Sequence, residues 1–262
     1  MDASPYSFPI LEFDPTTTAI IEPVGPKVTR PAPERGVLCF FPEVIQSLLD
    51  QGQLDEIGAI RSEIGRHPLY VLRVETLPGV RQVLVAHPGI GGPLAVGLLE
   101  EIIALGVRRF IACGGCGVLR PEIAAGHPVI LNAAVRDEGI SYHYLPPGRE
   151  AYPDPKAVAA LESACQAMGL EYRIGKTWTT DAIYRETLVR RERRIAEGCD
   201  VVEMEAASFF AAAHFRGVTF GQVVYGGDLV VPEGWDNRDW DERWNDRQLM
   251  FRLAVEAVIR LE

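Results

Sequence analysis

From residue 36 onward the chain alternates between short apolar, β-branched runs and longer runs in which apolar positions recur every three or four residues. The short runs are "VLCFF" from Val37, "LYVLRVE" from Leu69, "RQVLVAH" from Arg81, "RRFIACG" from Arg108, "HPVILNAAV" from His127 and "FGQVVYGG" from Phe220. Each predicts a buried strand, and "TLPG" between the second and third predicts a hairpin. The longer runs predict helices. "PEVIQSLLDQG" opens on Pro42 and closes on Gly52, the punctuation of a helix start and stop. "PLAVGLLEEIIALG", residues 154–168, "AASFFAAAHFRG" and the C-terminal "WNDRQLMFRLAVEAVIRLE" follow, and in 154–168 the residues Val158, Leu161, Cys165 and Met168 share one face.

Strands alternating with helices of this length imply an α/β fold, one domain with a mixed, mostly parallel central sheet covered by helices on both faces. Residues 1–36 have a different texture. They are rich in proline, as in "EPVGPKVTRPAPERG", and read as an arm over the 37–262 domain, with one short strand at residues 18–21.

Composition narrows the class. With 262 residues, 47% of them apolar and 24% charged, the chain has the profile of a globular protein with a substantial core. Its formal charge of −10 repels nucleic acid and anionic membrane, and the cluster Arg190, Arg191, Arg193 and Arg194 is interleaved with glutamate. No apolar run reaches spanning length, and "MDASPYSFPILEFDP" lacks the basic and apolar regions of a signal peptide. Five cysteines at irregular spacing point to reduced thiols and a cytoplasmic location.

Four stretches offer chemistry. "HPGIGGP" (His87 to Pro93) lies between a strand and a helix; its glycines either make a tight turn or let backbone N–H groups approach an anion or a sugar oxygen. "CGGCG" (Cys113 to Gly117) has no second ligand pair for zinc and ends a strand, so small residues that admit a ligand are the better reading than metal or redox chemistry. "YGGDLVVPEGW" sets Asp228 after a glycine pair, either as a turn residue or as a general acid. "DVVEMEAASFF" places Glu203 and Glu205 two positions apart in an apolar run, where an unpartnered carboxylate is costly, so they sit at its edge or mark a polar ligand. The loop "AAVRDEGISYHYLPP" is polar and aromatic, either self-paired through Arg136 or part of a pocket wall.

In this order, "GIGGPLAVGLLEEIIALGVRRFIACGGCG", "TTDAIY", "VVEMEAASFF" and "GGDLV" make the chain resemble the nucleoside phosphorylase superfamily, which includes uridine and purine nucleoside phosphorylases and related nucleosidases. The resemblance implies a phosphorylase/hydrolase-like fold and a set of roles. Met204 and Glu205 would hold the ribose. Glu203, Ile183, Tyr184 and Gly117 would surround the base, and Asp228 would protonate a leaving purine. Gly115, Cys116, Arg66 and His67 are the candidates for phosphate. There the sequence departs from the family pattern: "CFFPEV" replaces a Gly-Asp-x-x-Arg loop, Ala112 stands for an arginine and Gly115 for a threonine. Lys27, Arg30 and Arg35 of the arm are candidate replacement cations.

The expected activity is cleavage of a nucleoside N-glycosidic bond, with inorganic phosphate as co-substrate and no other cofactor or metal. Two alternatives stay open: water as nucleophile, and binding without turnover. The partners implied are a small-molecule nucleoside and further copies of the chain, as a homodimer or trimer of dimers.

Overall fold

A computed structural model describes residues 8–76 and 79–262. The strands are β1 (Arg35–Cys39), β2 (Leu54–Ser62), β3 (Gly65–Thr76), β4 (Gly79–Ala86), β5 (Arg109–Val118), β6 (Pro128–Asp137), β7 (Glu150–Ala151), β8 (Arg173–Thr180), β9 (Cys199–Glu203), β10 (Thr219–Val231) and β11 (Gly234–Asp236). The helices are α1 (Pro42–Asp50), α2 (Gly92–Ala104), α3 (Ser141–Tyr144), α4 (Pro155–Met168), α5 (Leu188–Ala196), α6 (Ala206–Arg216) and α7 (Trp244–Arg260).

All the strands belong to one sheet, ordered β11-β10-β6-β8-β9-β5-β1-β4-β3-β2, with β7 beside β6. Because β10 also pairs with β5, the strands β5, β10, β6, β8 and β9 close into a ring. The single α/β domain and the mixed sheet agree with the sequence pattern. The share of parallel strands is smaller than expected. Six of the pairings are antiparallel and five are parallel. Ring closure explains part of this, since β9 must run against β5 and β6 against β10. Two more come from the β2–β3–β4 meander, whose first strand has too weak an alternation to stand out, and the last two from the short strands β7 and β11.

The core lies on both faces of the sheet. On one face Phe209 of α6 stacks on Phe220 of β10 at 4.9 Å between ring centres, and Phe220 stacks on Phe110 of β5. Burial of each such ring stabilises the fold by roughly 1.5–3 kcal/mol. On the other face α1, α4 and α7 cover Val37, Ile111, Val223 and Tyr225. The hairpin between β3 and β4 pairs through Thr76 and Gly79, and its turn residues 77–78 lie outside the described residues, as do residues 1–7.

Residues 18–21 do not form the expected strand; the arm instead makes one bridge, between Val28 and Gly58. Two helices also exceed the sequence reading: the arginine-rich segment 188–196 is α5, and "SYHY" is the single turn α3. No helix among the described residues is long and apolar enough to cross a membrane.

Candidate active site

The carboxyl end of β5 organises the site. Along β10, Gly226 stands opposite Cys116 and Leu229 opposite Val118, so Gly227 and Asp228 together face the single residue Gly117. That is a β-bulge, a device that redirects a side chain out of the regular pleat. Gly117 is needed there. A Cβ on it would lie 2.9 Å from Val202 Cγ1 and 3.6 Å from Asp228 Oδ2, so glycine is what lets the acid and β9 close over β5. The side chain of Asp228 is half-buried, and its Oδ2 accepts from Trp235 Nε1 at 2.7 Å. Trp235 belongs to the short β11 hairpin that follows.

On the other side of Gly117, Val202 leads directly into the two glutamates. Glu203 is closed by its own neighbours. Its Oε1 accepts from the hydroxyls of Thr177 (3.2 Å) and Thr179 (2.6 Å), and its Oε2 from the amides of Glu205 (2.8 Å) and Ala206 (2.7 Å). Those amides belong to the open first turn of α6, which has no partner within the helix. Glu203 therefore anchors the helix rather than offering a free oxygen to a base. Burial pushes its carboxyl up against the pull of these donors.

Glu205 is different. It sits just before α6, is 6% exposed, and accepts from the amide of Gly91 at 2.6 Å. Gly91 has φ 85°, a left-handed conformation that a glycine adopts without strain, and from there it opens α2. Burial, with the Glu203 charge beside it, pushes the Glu205 carboxyl up to about 8. Desolvation thus outweighs the dipole of the helix N-terminus, which favours the ionised form. Met204, between the two glutamates, is half-buried.

The predicted base wall is a turn at Ile183–Arg185 after β8. Ile183 is exposed and Tyr184 is 95% exposed. Across residues 183–190 only Glu186 is half-buried, the rest being exposed. Burial, then the charge of Asp228, pushes its carboxyl up to about 7.

Toward β1 and β4 at the same carboxyl end, where phosphate was expected, apolar groups dominate. Ala112 is fully buried. The ring of Phe40 covers Gly114, coming within 3.1 Å of where a Cβ would stand, and meets His87 edge-on at 6.2 Å. His87 accepts from the Gly89 amide through Nδ1 at 3.0 Å, and burial lowers its pKa. Gly115 lies against the ring of Tyr225, and the Cys116 thiol donates to the Tyr225 carbonyl at 3.2 Å and is pushed well up by burial. Arg66 pairs with Glu56 across the β2–β3 hairpin, and His67 bonds Ser62 at 2.7 Å. Of the arm cations, Arg30 pairs with Asp55 at 2.9 Å and Arg35 donates to the Leu261 carbonyl at 2.7 Å.

With this geometry established, comparison with known proteins is informative. The profile of the "Phosphorylase superfamily" matches residues 34–260. The chain belongs to the phosphorylase superfamily. A uridine phosphorylase from Thermococcus kodakarensis is 31% identical over 221 residues, 74% of this chain and 78% of that protein. A guanosine phosphorylase from Halorubrum lacusprofundi is 29% identical and covers 81% of this chain and 91% of its own. Among solved structures, the purine nucleoside phosphorylase of Toxoplasma gondii in complex with immucillin-H has a TM-score of 0.71 at 22% identity, over 87% of this chain and 91% of that one. An AMP nucleosidase from Bacteroides thetaiotaomicron has a TM-score of 0.70 at 20% identity, over 87% and 88%. At these identities the structures establish a shared fold.

In this phosphorylase superfamily member, tertiary structure brings Asp228, Gly117, Glu203 and Glu205 to one end of the sheet, while Arg66 and His67 sit at the start of β3, separated from β5 by β1 and β4. Sequence reasoning missed Glu186, Trp235 and Phe40. A lone acid in a charged segment carries no periodic signal, and Phe40 reads as an ordinary strand residue. The "SYHYLPP" loop is tied down within its own chain: Arg136 donates to Ser141 Oγ at 2.7 Å and to the Pro146 carbonyl at 2.8 Å, and Tyr144 donates to Glu100 at 3.0 Å.

Proposed function

We propose that this protein cleaves the N-glycosidic bond of a nucleoside, with inorganic phosphate as the attacking co-substrate. The observation that carries the reading is the β10 bulge, which lifts Asp228 over the side-chain-free Gly117 while Glu205 stands beyond Val202 at the same sheet end. That spacing suits a ligand with a departing base at one end and a sugar diol at the other. Met204 and Glu205 hold the ribose, the carboxylate accepting from two adjacent hydroxyls. As the bond to the base stretches, the sugar becomes oxocarbenium-like, and Asp228 donates a proton or hydrogen bond to the base. Glu205 meets ribose donors only on binding. Those donors favour its ionised form, so its charge appears where the sugar becomes cationic.

One observation favours water as nucleophile instead. The apolar surface of Phe40, Ala112 and Gly114 lies where an anion would need cations, and Arg30 and Arg35 are engaged elsewhere. A phosphorolytic reaction therefore draws its cation from Lys27, from His67, from Arg66 on leaving Glu56, or from a neighbouring copy. A cytoplasmic location belongs to the same proposal, supported by five unpaired, buried thiols.

Purified protein incubated with guanosine, inosine, adenosine and uridine, with and without phosphate, tests this. Base release that needs phosphate and yields ribose 1-phosphate is the expected result. Release of free ribose at the same rate without phosphate assigns the hydrolytic reaction, and tight binding with no release of any base overturns the activity.

A further inference from the structure

Asp228 is held by a tryptophan that has no part in the reaction described so far. Shortly after Asp228 the chain reverses. Val231 pairs with Gly234 around the turn at residues 232–233, and Trp235 comes to stand opposite Val230. Asp228 lies two positions before Val230 on the same strand, so it and Trp235 are diagonal neighbours, within reach of a side chain as long as an indole. The reach is used: Trp235 Nε1 donates to Asp228 Oδ2 at 2.7 Å. Beyond Trp235 the chain is fixed to the body. Arg238 donates to the Ile123 carbonyl at 2.9 Å, and the Tyr225 hydroxyl donates to the Trp240 carbonyl at 3.0 Å. The Trp235 ring is nonetheless 63% exposed, so it adds little to the core, and its bonded nitrogen is what the hairpin presents. Among the described residues Asp228 Oδ1 has no hydrogen-bond partner.

We propose that Trp235 fixes which oxygen of Asp228 serves the base, and that its hydrogen bond, strengthening as the proton leaves, speeds the departure of a purine. This rests on the nucleoside-cleaving activity proposed above. An indole N–H donates and never accepts. Oδ2 is therefore an acceptor in either protonation state of Asp228, and a proton on the carboxyl sits on Oδ1. In the reaction the bond between the sugar C1′ and the base nitrogen breaks, and its electron pair moves into the base. The nucleophile adds to C1′, and the proton on Oδ1 passes to a ring nitrogen of the base. Asp228 is left as a carboxylate and regains a proton from water after release. The indole bond meanwhile changes from one to a neutral carboxyl into one to a carboxylate, which is roughly twice as strong. That gain arises only as the proton departs, so it lowers the barrier rather than tightening the bound substrate. Trp235 acts through Asp228 and is a positioning residue. Uracil departs as a stabilised anion with less need of the proton, so the indole favours purines.

Two measurements test this. The first is cleavage of guanosine and of 7-methylguanosine, whose purine already carries a positive charge, by the wild type and by Trp235→Phe, which keeps an aromatic ring but no donor. Guanosine kcat should fall roughly three- to tenfold with KM changed by less than about twofold, the mark of a bond made on the way to the transition state. With 7-methylguanosine, kcat should change by less than about twofold. The second is the NMR resonance of the Trp235 indole N–H, assigned by its loss in Trp235→Phe, which should move upfield in Asp228→Ala. An unchanged guanosine kcat, equal losses on the two substrates, a loss carried by KM alone, or an indole resonance that stays in place overturns the proposal. A wild type that cleaves uridine and neither purine nucleoside overturns the preference for purines. A wild type that cleaves no nucleoside overturns the activity and this role with it, while a resonance that still moves upholds the contact.

Discussion

Burial of Glu205 disfavours its charge, and hydrogen-bond donors on a ligand would offset that cost. Its carboxyl, raised to about 8, binds a proton more tightly in the folded chain than in the unfolded one. Its contribution to stability is therefore full below the ordinary glutamate range, declines as pH rises from there, and is gone above about 8. Glu205→Gln keeps an oxygen to accept from Gly91 but carries no charge to desolvate. Its melting temperature should match the wild type near pH 4 and exceed it at pH 9, which a thermal scan at the two pH values checks. Activity should go the other way. Losing one charge-assisted acceptor for the ribose hydroxyls costs roughly 1.5–3 kcal/mol, or about 10- to 150-fold in kcat/KM. Near-normal turnover would mean that Glu205 only closes the entry to α6. Stability and function thus make opposite demands on this residue, a sign of a binding group.

At the scale of elements, the entry to α6 depends on a carboxylate from the preceding strand. Glu203 gathers two threonine hydroxyls of β8 and two amides at the α6 entry, so it joins β8, β9 and α6. Thr179 strengthens the junction by accepting from the Ala207 amide at 3.0 Å. Glu203→Ala leaves these donors buried without an acceptor and should lower unfolding free energy by about 3–5 kcal/mol, measured by urea titration. A loss below about 1 kcal/mol would show that water replaces the carboxylate. The same junction accounts for the "VVEMEAA" pattern. The first glutamate shapes the backbone, and the second, displaced by two residues, is free for a ligand.

At the scale of the molecule, the exposed surface points to association. Ile20 is 105% exposed and Ile21 87%, both in the arm, with Val24 close by in sequence and Ile64 and Ile90 exposed on the body. The arm packs on its own body elsewhere: a Cβ on Gly25 would strike Leu105, and Glu22 reaches Arg216 at 3.8 Å. Its outward isoleucines await another surface. We predict a homodimer or a multiple of it at micromolar concentration, with a symmetric interface that covers them. Sedimentation should give at least twice the 28.9 kDa chain mass. An active, strictly monomeric protein would refute this and would also exclude a neighbour as the source of the phosphate cation.

The sequence by itself determined what depends on neighbours along the chain. Apolar period located α1, α2, α4, α6 and α7 and six of the strands but not β2, β8 or β9, proline and glycine marked element ends, and the spaced motifs singled out Glu203, Glu205 and Asp228. Tertiary structure alone decided what depends on segments far apart. Closing β10 onto β5 created the bulge that aims Asp228, and only pairing register could place that bulge opposite Gly117. Only folding could reveal that Glu203 is fully occupied by donors from β8 and the α6 entry, that Phe40 lies over Gly114, and that Glu186 is half-buried within an exposed segment. A residue's type records the chemistry it is able to perform. Desolvation and neighbouring charge, which decide whether it performs that chemistry, come from parts of the chain that local pattern does not encode.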